Sequence, residues 1–153
     1  MKTFKQFIES TEYLSELFDK PTKYKSMSHK EMGLNREESA SGRFHGYHFK
    51  HNNQSFRVGV YHHPNGHAEV DFDTGGSHDI TGKHGHSSHK IFSSVHKILK
   101  DHSDKHKQLS HYRFYSDASQ PSRGKLYHKL TKKMGGVTKK GEDDHEHIVP
   151  IKR

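Results

Sequence analysis

The sequence predicts an α+β domain of the α/β kind: an antiparallel three-stranded meander, then loop, helix, strand, helix and a last strand. Three observations carry that expectation. Apolar residues recur with a period of two between Phe44 and Phe72, and they change to a helical period after Ser88. Between two of the strand patterns, Pro64-Asn65-Gly66 supplies hairpin turn chemistry. Only 27% of the 153 residues are hydrophobic, so one small core is expected, concentrated between residues 44 and 136.

Taken in order, residues 1–20 predict an amphipathic helix. Phe4, Phe7, Ile8, Leu14, Leu17 and Phe18 largely share a face, and Asp19-Lys20-Pro21 stops the pattern. Residues 21–43 have few large apolar residues and no sustained period, so they read as a polar linker with a short helix near Glu31 to Glu38. The domain proper then spans 44–153. Its first strand runs over Phe44 to Phe49, its second alternates through Phe56, Val58 and Val60, and its third through Ala68, Val70 and Phe72. Asn52-Asn53 suits the first turn. After a glycine-rich loop, Ile91, Phe92, Val95, Ile98 and Leu99 mark one buried helical face, expected to end in the polar stretch from Asp101. Tyr112 to Ser116 is a short strand. Leu126, Tyr127, Leu130 and Met134 define a second helix, closed by Gly135-Gly136. A charged tail follows, then a strand over His147 to Ile151 that Pro150 should confine to an edge.

Composition excludes several chemistries. There is no cysteine, which removes disulfides, thiolate nucleophiles and iron–sulfur clusters. No apolar run approaches the roughly 20 residues a membrane helix needs, so no membrane role is expected. The net charge of +8 and the 18 histidines favour anionic partners, among them nucleic acid. Lys125, Lys129, Lys132, Lys133, Lys139 and Lys140 form a basic run, partly offset by Glu142-Asp143-Asp144. No helix-turn-helix, zinc finger or aromatic RNA-binding signature accompanies it.

Candidate site residues are few. Gly82-Lys83-His84-Gly85-His86-Ser87 sits between a strand and a helix start, where main-chain N–H groups and the helix dipole favour a phosphate. It lacks the order of a Walker loop, and an ordinary βα connection has the same composition. Tyr127 lies on the apolar face of the second helix, where its ring joins the core and its phenol is available as a proton donor. Glu69, Asp71 and Asp73 alternate with the apolar residues of the third strand and are expected to face solvent. The histidines fall into sequence neighbours, His84/His86/His89, His62/His63/His67 and His145/His147. None has the spacing of a known metal motif, and no metal site is expected.

Two stretches resemble known families. Thr81 to Gly136 resembles the C-terminal half of the GCN5-related N-acetyltransferase (GNAT) family, in which a pyrophosphate loop leads into helix, strand and helix. Gly85 matches the central glycine of the family's R/Q-x-x-G-x-G/A loop, while Gly82 and Ser87 replace its other positions. Ser122 to Gly135, with Leu126-Tyr127 and Met134-Gly135, is similar to the late helix. The resemblance implies acetyl-CoA as cofactor, held by the main chain of Gly82, Lys83, His84, Gly85, His86 and Ser87, with Tyr127 as general acid. The start, Met1-Lys2-Thr3-Phe4-Lys5-Gln6-Phe7-Ile8-Glu9-Ser10, looks like the leader of internal head proteins of T4-like tailed bacteriophages, and Leu14-Ser15-Glu16 fits a prohead-protease site. That likeness implies a phage accessory or virion-associated protein, found in the virion or the host cytoplasm. Such a protein would act by binding phage structural proteins or packaged DNA; the alternative is an active acetyl-CoA-dependent N-acetyltransferase.

Overall fold

A computed structural model gives the fold and describes residues 21–51, 53–73, 88–117, 121–142 and 144–153. Among them, β1 (Tyr24–Ser26), β2 (Phe44–His51), β3 (Gln54–His62), β4 (His67–Asp73), β5 (His111–Asp117), β6 (Val137–Lys140) and β7 (Asp144–Pro150) form one mixed sheet. The order across the sheet is β1-β2-β3-β4-β5-β7-β6. Three helices among the described residues accompany it: α1 (Arg36–Ser41), α2 (Ser88–Lys105) and α3 (Pro121–Lys133). The expected α+β class holds, and the alternation read from Phe44 to Phe72 becomes the antiparallel meander β2-β3-β4. The amphipathic helix expected over residues 1–20, the Asn52 turn position and the loop 81–87 lie outside the described residues.

One face of the sheet carries the core. Phe49, Phe56, Val58, Phe72, Tyr112 and Phe114 are buried there. Both long helices cover this face: the Tyr112 hydroxyl donates to the Leu99 carbonyl of α2 (2.6 Å), and Tyr127 of α3 lies 5.0 Å from the Phe114 ring. Lys129 Nζ sits 4.9 Å over the Phe92 ring and links the helices. Gly135 (φ 75°) supplies the left-handed residue that ends α3, as the Gly-Gly pair predicts.

Four expectations need correction. Residues 21–43 are not a linker. Tyr24 to Ser26 pairs with β2 as an edge strand, and the Tyr24 hydroxyl donates to Asp101 of α2 at 2.6 Å. The short helix is displaced to Arg36–Ser41, because Asn35 and Glu38 form a capping box and fix its start. Helix α2 runs on to Lys105, since His102 and Ser103 continue its buried face with polar side chains that an apolar pattern does not register. The charged tail contains β6, which pairs with β7 and moves β7 inside the sheet. Pro150 is tolerated there because it is the strand's last residue.

Candidate active site

Strands β4 and β5 are parallel and pair through His67↔His111, Ala68↔Tyr112, Glu69↔Arg113 and Val70↔Phe114. The ladder stops there, although β4 continues to Asp73 and β5 to Asp117. Each strand is still held on its other side, β4 by β3 and β5 by β7. The two therefore part at their carboxyl ends and leave a gap walled by main chain. Crevices at the carboxyl ends of parallel strands are where open sheets bind ligands.

On the helix-covered side of the gap stands Tyr127. It is fully buried, and its ring packs on Phe114, the last β5 residue paired with β4. Thr131 donates its hydroxyl to the Tyr127 carbonyl at 2.6 Å, which holds that turn of α3. Beside Tyr127, at 6.0 Å between rings, lies His147. Its Nε2 meets Ser116 Oγ at 3.0 Å and its Nδ1 meets Thr138 Oγ1 at 2.9 Å, so both ring nitrogens are satisfied. Burial pushes the His147 imidazole down to about 4, with His128 and His145 adding to the shift. It is neutral at physiological pH.

On the other face is a cleft of about 490 Å³. Its floor is bare because Gly46 and Gly59 are cross-strand partners there. A Cβ on Gly46 would meet Met32 Sδ at 2.6 Å, so the segment between β1 and α1 roofs the cleft where the glycine leaves room. Glu69, Asp71, Asp73 and Tyr115 line the side toward the gap. Arg57 Nε donates to Asp73 at 2.8 Å and offsets one of the three carboxylates.

No protein-family model matches the sequence, and no curated protein sequence matches it. Solved structures do. An acetyltransferase from Bacillus subtilis in complex with CoA aligns with TM-score 0.51 at 9% identity, over 86% of this chain and 99% of that one. The spermidine/spermine N-acetyltransferase SpeG from Vibrio cholerae aligns with TM-score 0.52 at 11% identity, over 84% and 93%. The N-acetyltransferase PseH from Campylobacter jejuni aligns with TM-score 0.50 at 10% identity, over 99% and 84%. The fold is that of the GNAT acetyltransferases. At these identities the likeness concerns the GNAT fold.

Of the residues singled out in the sequence, Tyr127 stands beside the strand divergence, whereas Gly82 to Ser87 lie outside the described residues. Helix α2, which begins directly after that loop, has no acidic residue in its first turn. Glu69, Asp71 and Asp73 do face away from the core, as expected, with Asp71 exposed, and all three also line the cleft. The sequence neighbours His62, His63 and His67 are divided: His62 points to the core face, while His63 and His67 stack at 4.3 Å on the other. His45, His62, His102 and His106 come together across 61 positions of sequence, a set that local spacing could not reveal.

Proposed function

We propose that this chain is an acetyl-CoA-dependent N-acetyltransferase acting on an amine that is cationic in solution. The observation that carries the reading is the parting of β4 and β5, with Tyr127 on one face and the carboxylate-lined cleft on the other. Acetyl-CoA, when bound, supplies a thioester-activated acetyl group. The gap fits an extended chain bearing amides, because its walls are strand edges that have left their ladder. Main-chain N–H groups of Gly82 to Ser87, ahead of the α2 N-terminus, are the candidates to hold the pyrophosphate. Glu69 and Asp71 draw an ammonium group into the cleft, Glu69 accepts its proton, and the Tyr127 hydroxyl donates one to the departing sulfur.

The test is calorimetric titration with acetyl-CoA, followed by acetyl transfer to polyamines and to peptide N-termini. Micromolar binding and turnover that Tyr127→Phe removes are the expected results. No binding at millimolar acetyl-CoA overturns the reading.

A second reading is favoured by one observation: Lys125, Lys132, Lys133, Lys139 and Lys140 are all exposed on α3 and β6. That surface suits a polyanion or an acidic protein, as a virion-associated role with phage structural proteins or packaged DNA would require. Detection of the chain in purified phage particles, with binding that weakens steeply as salt rises, would support it.

A further inference from the structure

We propose that His45, His62, His102 and His106 form a site for one divalent transition-metal ion of the imidazole-preferring class, with zinc as the reference ion. The site stands at the opposite end of the sheet from the β4/β5 gap and is independent of the acetyltransferase reading.

The arrangement of the four rings is the central observation. Their centroids are separated by 4.7 Å (His45–His62), 4.9 Å (His45–His102), 4.7 Å (His45–His106), 4.9 Å (His62–His102), 4.9 Å (His62–His106) and 4.2 Å (His102–His106). Four points with six nearly equal separations are the corners of a tetrahedron. One ring nitrogen from each lies within 4.8 Å of the others. Zinc–imidazole bonds of about 2.0–2.1 Å imply nitrogen–nitrogen edges of about 3.3 Å in a tetrahedral site. One such contact, His62 Nε2 to His102 Nε2, is 2.7 Å and the ligand nitrogens all lie within 4.8 Å of one another, so the expected edge falls between these two values.

Each ligand is placed by a separate feature of the chain. His45 shares the core face of β2 with Tyr47, and His62 ends β3 on the same face. His102 lies on α2, and the His106 N–H still bonds the His102 carbonyl at 3.0 Å, so His106 continues the same helical face one turn on. Arg153 fixes that turn by donating to the carbonyls of Ser103 (2.8 Å), His106 (3.1 Å) and Leu109 (2.9 Å). A cleft of about 350 Å³ bounded by Gly42, Arg43, His62 and Leu109 reaches one of the four, His62.

Hydrogen bonding is incomplete without a cation. His45 Nε2 is buried and has no hydrogen-bond partner. The facing nitrogens of His62 and His102 share one proton at 2.7 Å, an arrangement a cation can replace. His102 would then carry its proton on Nδ1, donated to the Tyr47 oxygen 2.6 Å away, which fixes the ring as outer partners of zinc-bound imidazoles do. A donor set of imidazoles alone favours zinc, nickel or copper over magnesium and calcium.

The experiment is titration of the chelator-treated full chain with Co²⁺, read by visible absorption, then displacement by Zn²⁺. The expected result is an intense tetrahedral Co²⁺ spectrum that saturates at one equivalent and disappears in folded His45→Ala and His106→Ala variants. Tyr47→Phe should keep the spectrum but weaken binding by about 10- to 100-fold. A weak octahedral spectrum only, or a tetrahedral band that survives in both histidine variants, overturns the proposal. Should those variants fail to fold, X-ray absorption of the wild-type zinc complex decides. Four imidazole nitrogens support the site, and three or fewer overturn it.

Discussion

At one end of the sheet β4 and β5 part, and the space between them is walled by main chain. At the other, β2, β3 and α2 converge, and the space is filled by four imidazoles. The first arrangement depends on topology. The β4/β5 ladder ends at Val70↔Phe114 while β3 and β7 hold the two strands further on, so main-chain pairing rather than any one side chain marks the gap. The second depends on residue identity, because leucines in place of those histidines would make an ordinary core. The acetyltransferase fold thus explains the first end and says nothing of the second. If the two ends are separate devices, substitutions should affect catalysis or metal binding, not both.

The largest separation is expected from Tyr127→Phe. The ring stays between Phe114 and His147, so the variant should fold with little change in melting temperature. Loss of the proton donor should lower kcat about 10²- to 10⁴-fold, and metal binding should not change. Steady-state kinetics on a responsive amine checks this. An undiminished kcat would leave Tyr127 as a core residue and return the gap to main-chain binding alone.

Next in size is an effect of acid on the side of the sheet near the gap. His147 is buried neutral with a folded-state value near 4, below the ordinary imidazole value of 6.5. The unfolded chain therefore takes up its proton first as pH falls. The contribution is fully present above about pH 6.5 and lost as pH falls to about 4, amounting to roughly 3 kcal/mol for this one group. Denaturant melts at several pH values should show that loss, and His147→Gln should make the profile less steep in this window, where His62 still contributes. An equally steep profile in the variant would move the acid sensitivity elsewhere.

A smaller effect belongs to the cleft. Asp71 lines it and is exposed, so Asp71→Asn removes a charge that attracts the acceptor without disturbing the core. KM for a cationic amine should rise about three- to tenfold with kcat nearly constant, corresponding to about 1 kcal/mol. Uncharged acceptors should show no difference. A fall in kcat instead would make Asp71 part of the proton path.

Which of these features the sequence disclosed follows from how each is encoded. The meander and the two long helices were legible because burial there repeats every two residues or follows the helical period, as in Phe56-Val58-Val60 and Ile91 to Leu99. Tyr127 was legible for the same reason, since its place on a buried face fixed its neighbourhood. Strands β1 and β6 were missed because edge strands bury little: Tyr24–Ser26 has one half-buried residue and Val137 is 59% exposed. The tetrahedral histidine set was illegible because its members are brought together by register. His45 comes alongside Val60, two residues before His62, only once β2 and β3 pair. The cleft floor left a faint trace, Gly46 and Gly59 in adjacent strands, which becomes a signal only when the pairing is known.

The smallest effect is the one that separates catalysis from binding by the outer surface. Lys132 and Lys133 are exposed in the last turn of α3, and neither lines the cleft nor belongs to the four-histidine set. Neutralising them as Lys132→Gln and Lys133→Gln should change stability by no more than about 0.5 kcal/mol, since neither is held in a buried pair. Acetyl transfer and Co²⁺ binding should be unaltered. Binding to duplex DNA, if the basic surface serves it, should weaken, and the slope of log affinity against log salt should fall by about two for the two charges removed. An unchanged slope would show that these lysines only solvate the helix. A lost acetyltransferase activity would instead tie the basic face to the anionic coenzyme, because α3 carries these lysines on the same helix as Tyr127.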